Sequence, residues 1–143
     1  MEKIITKKEK ETRECGLKLA KKLKGGEILA LTGDLGAGKT KFLQGLAKGL
    51  GVKSRVNSPT FNILKVYKTS GNQKIKTFCH VDAYRLNSGK DLTSLGVEEY
   101  FQDKRAVTAI EWAEKVKKIL PPKTIKITIK HQREEERIII INC

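Results

Sequence analysis

The chain has 143 residues, of which 38% are hydrophobic, enough to bury a core and too few for two ordinary domains. No apolar run approaches the roughly 18 residues of a membrane span. The amino terminus enters Lys- and Glu-rich sequence with no signal-peptide core, so a protein of the cytoplasm without membrane contact is expected. Thirty Lys and Arg against 16 acidic residues give a formal charge of +14. Such a charge draws polyanions such as nucleotides or RNA, or makes a solvated lysine-rich surface, and charge alone does not choose.

Thr6-Lys7-Lys8-Glu9 has the form of a helix capping box, and Thr12, Cys15, Gly16, Leu19, Ala20 and Leu23 then fall on one helical face. An amphipathic helix ending at Gly25-Gly26 is predicted. Glu27 to Thr32 reads as a short buried strand, and Phe42, Leu43, Leu46, Ala47 and Leu50 repeat at helical spacing up to a stop at Gly51. Pro59 makes the following stretch non-helical. Asn62 to Tyr67 and Lys74 to Val81 read as an antiparallel hairpin within residues 61–82, turning at Thr69-Ser70-Gly71-Asn72. Asp91 to Phe101 suits short helical pieces broken at Gly96. The apolar run Ala106 to Ile110 suits a buried strand that delivers Glu111 and Trp112 to its end, before a helix from Ala113 to Leu120 stopped by Pro121-Pro122. Thr124 to Lys130 and Ile138 to Ile141 then form a terminal hairpin within residues 124–142. Cys15, Cys79 and Cys143 are odd in number, widely spaced and without a C-x-x-C pair, which argues for reduced thiols and against a zinc site.

Between the first strand and the helix that follows it, Gly33-Asp34-Leu35-Gly36-Ala37-Gly38-Lys39-Thr40 meets the phosphate-loop pattern G-x-x-x-x-G-K-[ST] at every required position. Gly33, Gly36 and Gly38 permit backbone angles closed to other residues and let amide N–H groups approach phosphate oxygens. The helix aims its positive end at the same place. Lys39 is expected to reach the β- and γ-phosphates, and the Thr40 hydroxyl to take one place around a magnesium ion. Such a loop needs an acid from the end of a neighbouring strand, and both Glu111 and Asp82 qualify. Thr60 is a candidate for a nucleotide-sensing loop or a simple turn residue. Trp112 belongs either to the core or, following Glu111, to the site. His80, a lone strand histidine, reads as structural and is assigned no catalytic role.

Thr12 with Gly16, the phosphate loop, Ser58-Pro59-Thr60-Phe61, His80-Val81-Asp82-Ala83-Tyr84-Arg85-Leu86, Leu95-Gly96 and Ile110-Glu111-Trp112 occur in one order. Together they resemble the TsaE family, also called YjeE, over roughly residues 6 to 122. That family is the small ATPase subunit of the bacterial machinery that makes threonylcarbamoyladenosine in tRNA. The resemblance implies a single P-loop NTPase-like α/β domain over residues 1–143, with a mixed β-sheet flanked by helices. It implies ATP or ADP with Mg2+ at Leu35, Gly36, Ala37, Gly38, Lys39 and Thr40, with Thr12, Thr60 and Trp112 on the nucleotide side. Glu111 would be the magnesium-side acid and Asp82 a second functional acid. TsaD-type and TsaB-type subunits would be partners, tRNA would be met through the complex, and the threonylcarbamoyl transfer would not occur here. Lys41 stands where the family usually has Thr or Ser, and Ala83 where it usually has Leu. The terminal hairpin matches poorly, with Arg133 and Arg137 as candidates for adenine contacts.

A small P-loop kinase acting on a nucleotide or metabolite is the main alternative, since it shares the loop and the first strand and helix. It would need a helical acceptor-binding insertion where residues 56–85 read as a hairpin. A GTPase is disfavoured by the lack of an N-K-x-D motif, and an RNA-binding module would rest on charge alone.

Overall fold

A computed structural model describes residues 1–34, 36–57, 63–70 and 74–142. Seven strands form one mixed sheet: β1 (Glu2–Thr6), β2 (Ile28–Thr32), β3 (Leu64–Lys68), β4 (Thr77–Asp82), β5 (Ala106–Glu111), β6 (Ile125–His131) and β7 (Arg137–Asn142), in the spatial order β1-β7-β6-β2-β5-β4-β3. The inner strands β6, β2, β5 and β4 run parallel, whereas β3, β7 and β1 are joined antiparallel to their neighbours. Strands β2 and β5 are buried along nearly their whole length because both of their faces are covered, whereas β6 alternates Ile125, Ile127 and Ile129 with Lys126, Thr128 and Lys130. In β2, Leu29 and Leu31 belong to one core, and Ile28 and Ala30 to the other.

Helices α1 (Glu9–Lys22) and α2 (Lys39–Gly49) cover the first face, where Leu19, Phe42, Leu43 and Leu46 meet Leu29, Phe78, Val107 and Ile127. The second face is covered by α3 (Gly89–Thr93), α4 (Val97–Gln102) and a 3-10 segment, Ala113–Ile119, through Leu92, Val97, Phe101 and Val116. The break between α3 and α4 falls at Gly96, whose φ of 83° is the left-handed value that favours glycine. The expected α/β layering with a mixed sheet is therefore observed, with β3 antiparallel to β4 and β6 antiparallel to β7. The Ser58-to-Phe61 loop, Asn62 and the turn residues Gly71 and Asn72 lie outside the described residues.

Two local expectations are corrected. Thr6 does not cap α1: it ends β1, and its buried hydroxyl meets that of Thr12 at 2.8 Å. The N-cap of α1 is Lys8, which makes no side-chain capping bond, and the preceding Lys7 N–H is held by the Glu11 carboxylate at 2.8 Å. Pairing of β1 with β7 overrides the local capping pattern. The segment after Trp112 is 3-10 and not α-helical, because Trp112 enters it at a φ of 57° and Val116 breaks the helical angles.

Cys15 and Cys79 are free, and burial pushes the Cys79 thiol up to about 12, so it is an inert core group. Cys143 lies outside the described residues.

Helices α1 and α2 approach closely at glycines. A Cβ on Gly16 would stand 2.1 Å from the Phe42 carbonyl oxygen, and one on Gly45 would stand 1.8 Å from that of Arg13. Because the obstacle is backbone, the helices would have to separate. Gly16→Ala is therefore expected to lower unfolding stability by about 1–3 kcal/mol, even though alanine is intrinsically the better helix former by about 1 kcal/mol. Urea denaturation of the two proteins followed by circular dichroism measures this.

Candidate functional site

Three strand ends deliver the site. β2 leads into the phosphate loop, while β4 and β5, parallel and in register, bring Asp82 opposite Glu111 at the same edge of the sheet. The loop passes hard against β6, where a Cβ on Gly33 would lie 2.4 Å from the Ile129 carbonyl oxygen. Gly36 and Gly38 have φ of 79° and 103°, and among the described residues nothing stands within 4 Å of where a Gly36 Cβ would be. The helix α2 begins at Lys39, and its N-cap residue Gly38 makes no side-chain capping bond, so the N-terminus of the helix follows directly on the glycine turn. Ala37 is buried in the core beneath. Leu35 and Thr60 lie outside the described residues.

Lys39 is 5% exposed. Its Nζ donates to the carbonyls of Gly33 and of Asp34, the latter at 3.3 Å, and sits 3.7 Å from the centre of the Trp112 ring. Burial pulls its pKa below the ordinary lysine value, against the opposing pull of Glu111, Glu114, Asp34 and Asp82. Trp112 is held at its left-handed φ with its ring 5.0 Å from that of Tyr84. Lys39 and Trp112, each named separately from the sequence, thus meet directly.

Glu111 is only 3% exposed. Its Oε1 accepts from the Thr40 hydroxyl at 3.4 Å, and its Oε2 lies 2.7 Å from Nε2 of His80. Asp82 accepts the Tyr84 N–H at 3.0 Å. Burial raises the Asp82 pKa above the usual carboxylate value, with the Tyr84 N–H opposing. Thr40 and Glu111 offer one hydroxyl and one carboxylate oxygen side by side, a donor set suited to a hard cation that takes its other ligands from phosphate and water. Among the described residues no cluster of three or more His, Cys, Asp or Glu makes an all-protein metal cage.

These residues share a cleft of about 380 Å³ whose lining includes Thr12, Gly36, Gly38, Lys39, Thr40, Asp82, Glu111 and Trp112. Thr12 enters it as part of the wall. Its far side comes from the terminal hairpin, where the Arg137 guanidinium donates to the carbonyls of Glu134, Glu136 and Gly36 at 2.8, 2.9 and 3.1 Å. Arg137 thus straps the hairpin to the phosphate loop, while Arg133 pairs with Glu136 on the surface. Arg85 is exposed and does not line the cleft. Sequence reasoning missed the contact of His80 with Glu111. The available signal was the two-residue spacing that puts His80 on the same face of β4 as Asp82.

The sequence profile of the family described as "Threonylcarbamoyl adenosine biosynthesis protein TsaE" matches residues 6–139. The chain is 40% identical over 127 residues to "tRNA threonylcarbamoyladenosine biosynthesis protein TsaE" of Bacillus subtilis, a match covering 89% of this chain and 76% of that one. It is 34% identical over 139 residues to the protein of the same description from Treponema pallidum, covering 97% and 98% of the two chains. A crystal structure of Bacillus subtilis YdiB superposes with a TM-score of 0.74 at 35% identity, over 96% of this chain and 82% of that one. No helix among the described residues is long and apolar enough to cross a membrane.

The buried ammonium of Lys39 has a consequence for stability. A cation whose folded-state pKa is lowered opposes folding while both states are protonated, and the cost fades as pH rises past the ordinary lysine value. Lys39→Met is therefore expected to stabilise the chain by about 0.5–2 kcal/mol at neutral pH. The gain should shrink towards strongly alkaline pH, as urea midpoints measured across a pH series would report.

Proposed function

Because this chain belongs to the TsaE family, we propose that it binds and hydrolyses ATP with Mg2+ to support formation of threonylcarbamoyladenosine in tRNA, acting with TsaD-type and TsaB-type subunits. The observation that carries the reading is the juxtaposition of a phosphate loop, the buried Lys39 and the Thr40–Glu111 contact in one cleft.

In this reading, amides of the loop and of the first turn of α2 hold the phosphates, and the open side of Gly36 gives them close approach. Lys39 leaves the Gly33 and Asp34 carbonyls for the β- and γ-phosphate oxygens, exchanging two neutral acceptors for charged ones. Trp112 stays against the lysine and reports on its movement through its emission. Thr40 and Glu111 would hold Mg2+, which would supply neutralisation of phosphate charge. Asp82, opposite Glu111 in the sheet, serves as the second acid and orients the attacking water.

The cleft lining holds few cations for the charge that spreads over the γ-phosphoryl oxygens. Among the described residues of the lining, the cations are Lys39, Lys41 and Arg137, and Arg137 is engaged by three carbonyls. Slow turnover alone and acceleration by a partner that supplies a cation follow from this, an arginine finger being worth about 10³–10⁵ in rate. A kinase reading is less well supported, because β3 and β4 occupy the sheet where an acceptor-binding helical insertion would be needed.

Phosphate release from the chain alone, from the partner pair alone and from their mixture tests the proposal. Slow release alone and a large increase in the mixture are expected, with loss of both ATP binding and release in Lys39→Ala. Full-rate turnover by the chain alone, unaffected by the partners, would overturn the coupled reading. Glu111→Gln is expected to retain ATP binding by calorimetry while its turnover in the mixture falls at least about 100-fold.

A further inference from the structure

His80 is fully buried in β4, with its ring stacked 6.1 Å from that of Phe78 and no exposed edge. Its Nε2 lies 2.7 Å from Oε2 of Glu111, a separation typical of a hydrogen bond with a charged partner. Its Nδ1 is buried and has no partner among the described residues. Those facts select a tautomer. With the proton on Nε2, the ring donates to the carboxylate and leaves only a bare lone pair at Nδ1. With the proton on Nδ1, a buried N–H would be orphaned and a nitrogen lone pair would face a carboxylate oxygen. Orphaned N–H groups are the rarer and costlier defect, and the second arrangement adds repulsion to it.

We infer that His80 is a positioning residue for the acid: its Nε2–H holds Oε2 of Glu111 so that Oε1 stays turned towards Thr40. A carboxylate can rotate about its last bond, and both oxygens of Glu111 are engaged here, one by the histidine and one by the threonine. The grip fixes the plane of the carboxylate with Oε1 beside Thr40, and the inference rests on the proposed role of Glu111 as the magnesium-side acid. Packing alone would not require this residue. Phe78 and Tyr67 continue the same row of stacked rings in this part of the sheet, so a phenylalanine at position 80 would suit the apolar surroundings. The polar ring is explained by the carboxylate it meets.

The first test needs no turnover. In the 15N-labelled chain carrying His131→Gln, which removes the only other histidine, nitrogen–proton spectra of the imidazole should show a protonated Nε2 and a bare Nδ1. The opposite tautomer would overturn the inference. The second test compares His80→Phe, which keeps the ring and loses the donor, with His80→Gln, whose amide N–H reaches towards the same oxygen. In the partner mixture, His80→Phe should lower kcat by about 10–100-fold while KM for ATP stays nearly constant, and His80→Gln should recover most of the rate. Parental kcat in a His80→Phe chain that melts as a folded protein would overturn the positioning role. If instead the parent releases no phosphate in any mixture, the ATPase reading fails, and the ring spectrum still decides whether His80 grips Glu111.

Discussion

Burying one ammonium group is the constraint on which the rest of this structure depends. A lysine that is 5% exposed needs close acceptors, and Lys39 finds two carbonyls, an aromatic face and a surround of acids. Each requirement fixes something larger. The carbonyls belong to the loop's own glycine turn, the aromatic face requires Trp112 in a left-handed conformation, and the acids require two parallel strands ending in register. Helix α2, which carries the lysine, is in turn set by its close approach to α1 at Gly16 and Gly45. The unfavourable term is local, and the two apolar cores of the sheet offset it.

Much of this layout was legible because it is written in short-range patterns. The run Ala106 to Ile110 announces a strand covered on both faces, and it puts Glu111 at the edge where ligands of parallel sheets bind. The glycines at 36 and 38 announce their own backbone angles. What escaped lies across the sheet. The Thr6-to-Glu9 pattern satisfies a local rule, yet β1 is made by pairing with β7, more than 130 residues further along the chain. The helical propensity of residues 113–120 gives no hint of the left-handed entry at Trp112.

The site residues divide in the same way. Lys39, Thr40, Glu111 and Trp112 are close in space because motif and strand end each point to one edge, so their meeting could be reasoned from sequence. The His80 contact depends on the lateral register of β4 and β5, and the Arg137 strap joins residues 101 positions apart. Spacing along β4 puts His80 on the face of Asp82, but neither contact has a local signature of its partner, since each arises only once the sheet order is fixed.

That sheet order also sets when the site comes into being. Strand β2 is made early in the chain, but its two neighbours are β5 and β6, and the Ile129 carbonyl that limits Gly33 belongs to the latter. Nearly all the pairings around the phosphate loop are long-range, which makes loop closure costly and folding slow. On the ribosome, a nascent chain would display the complete glycine-rich motif about a hundred residues before the strand and strap that shape it. The finished shape of the cleft is in this protein a late product of folding, although its glycine-rich motif lies in the first third of the chain.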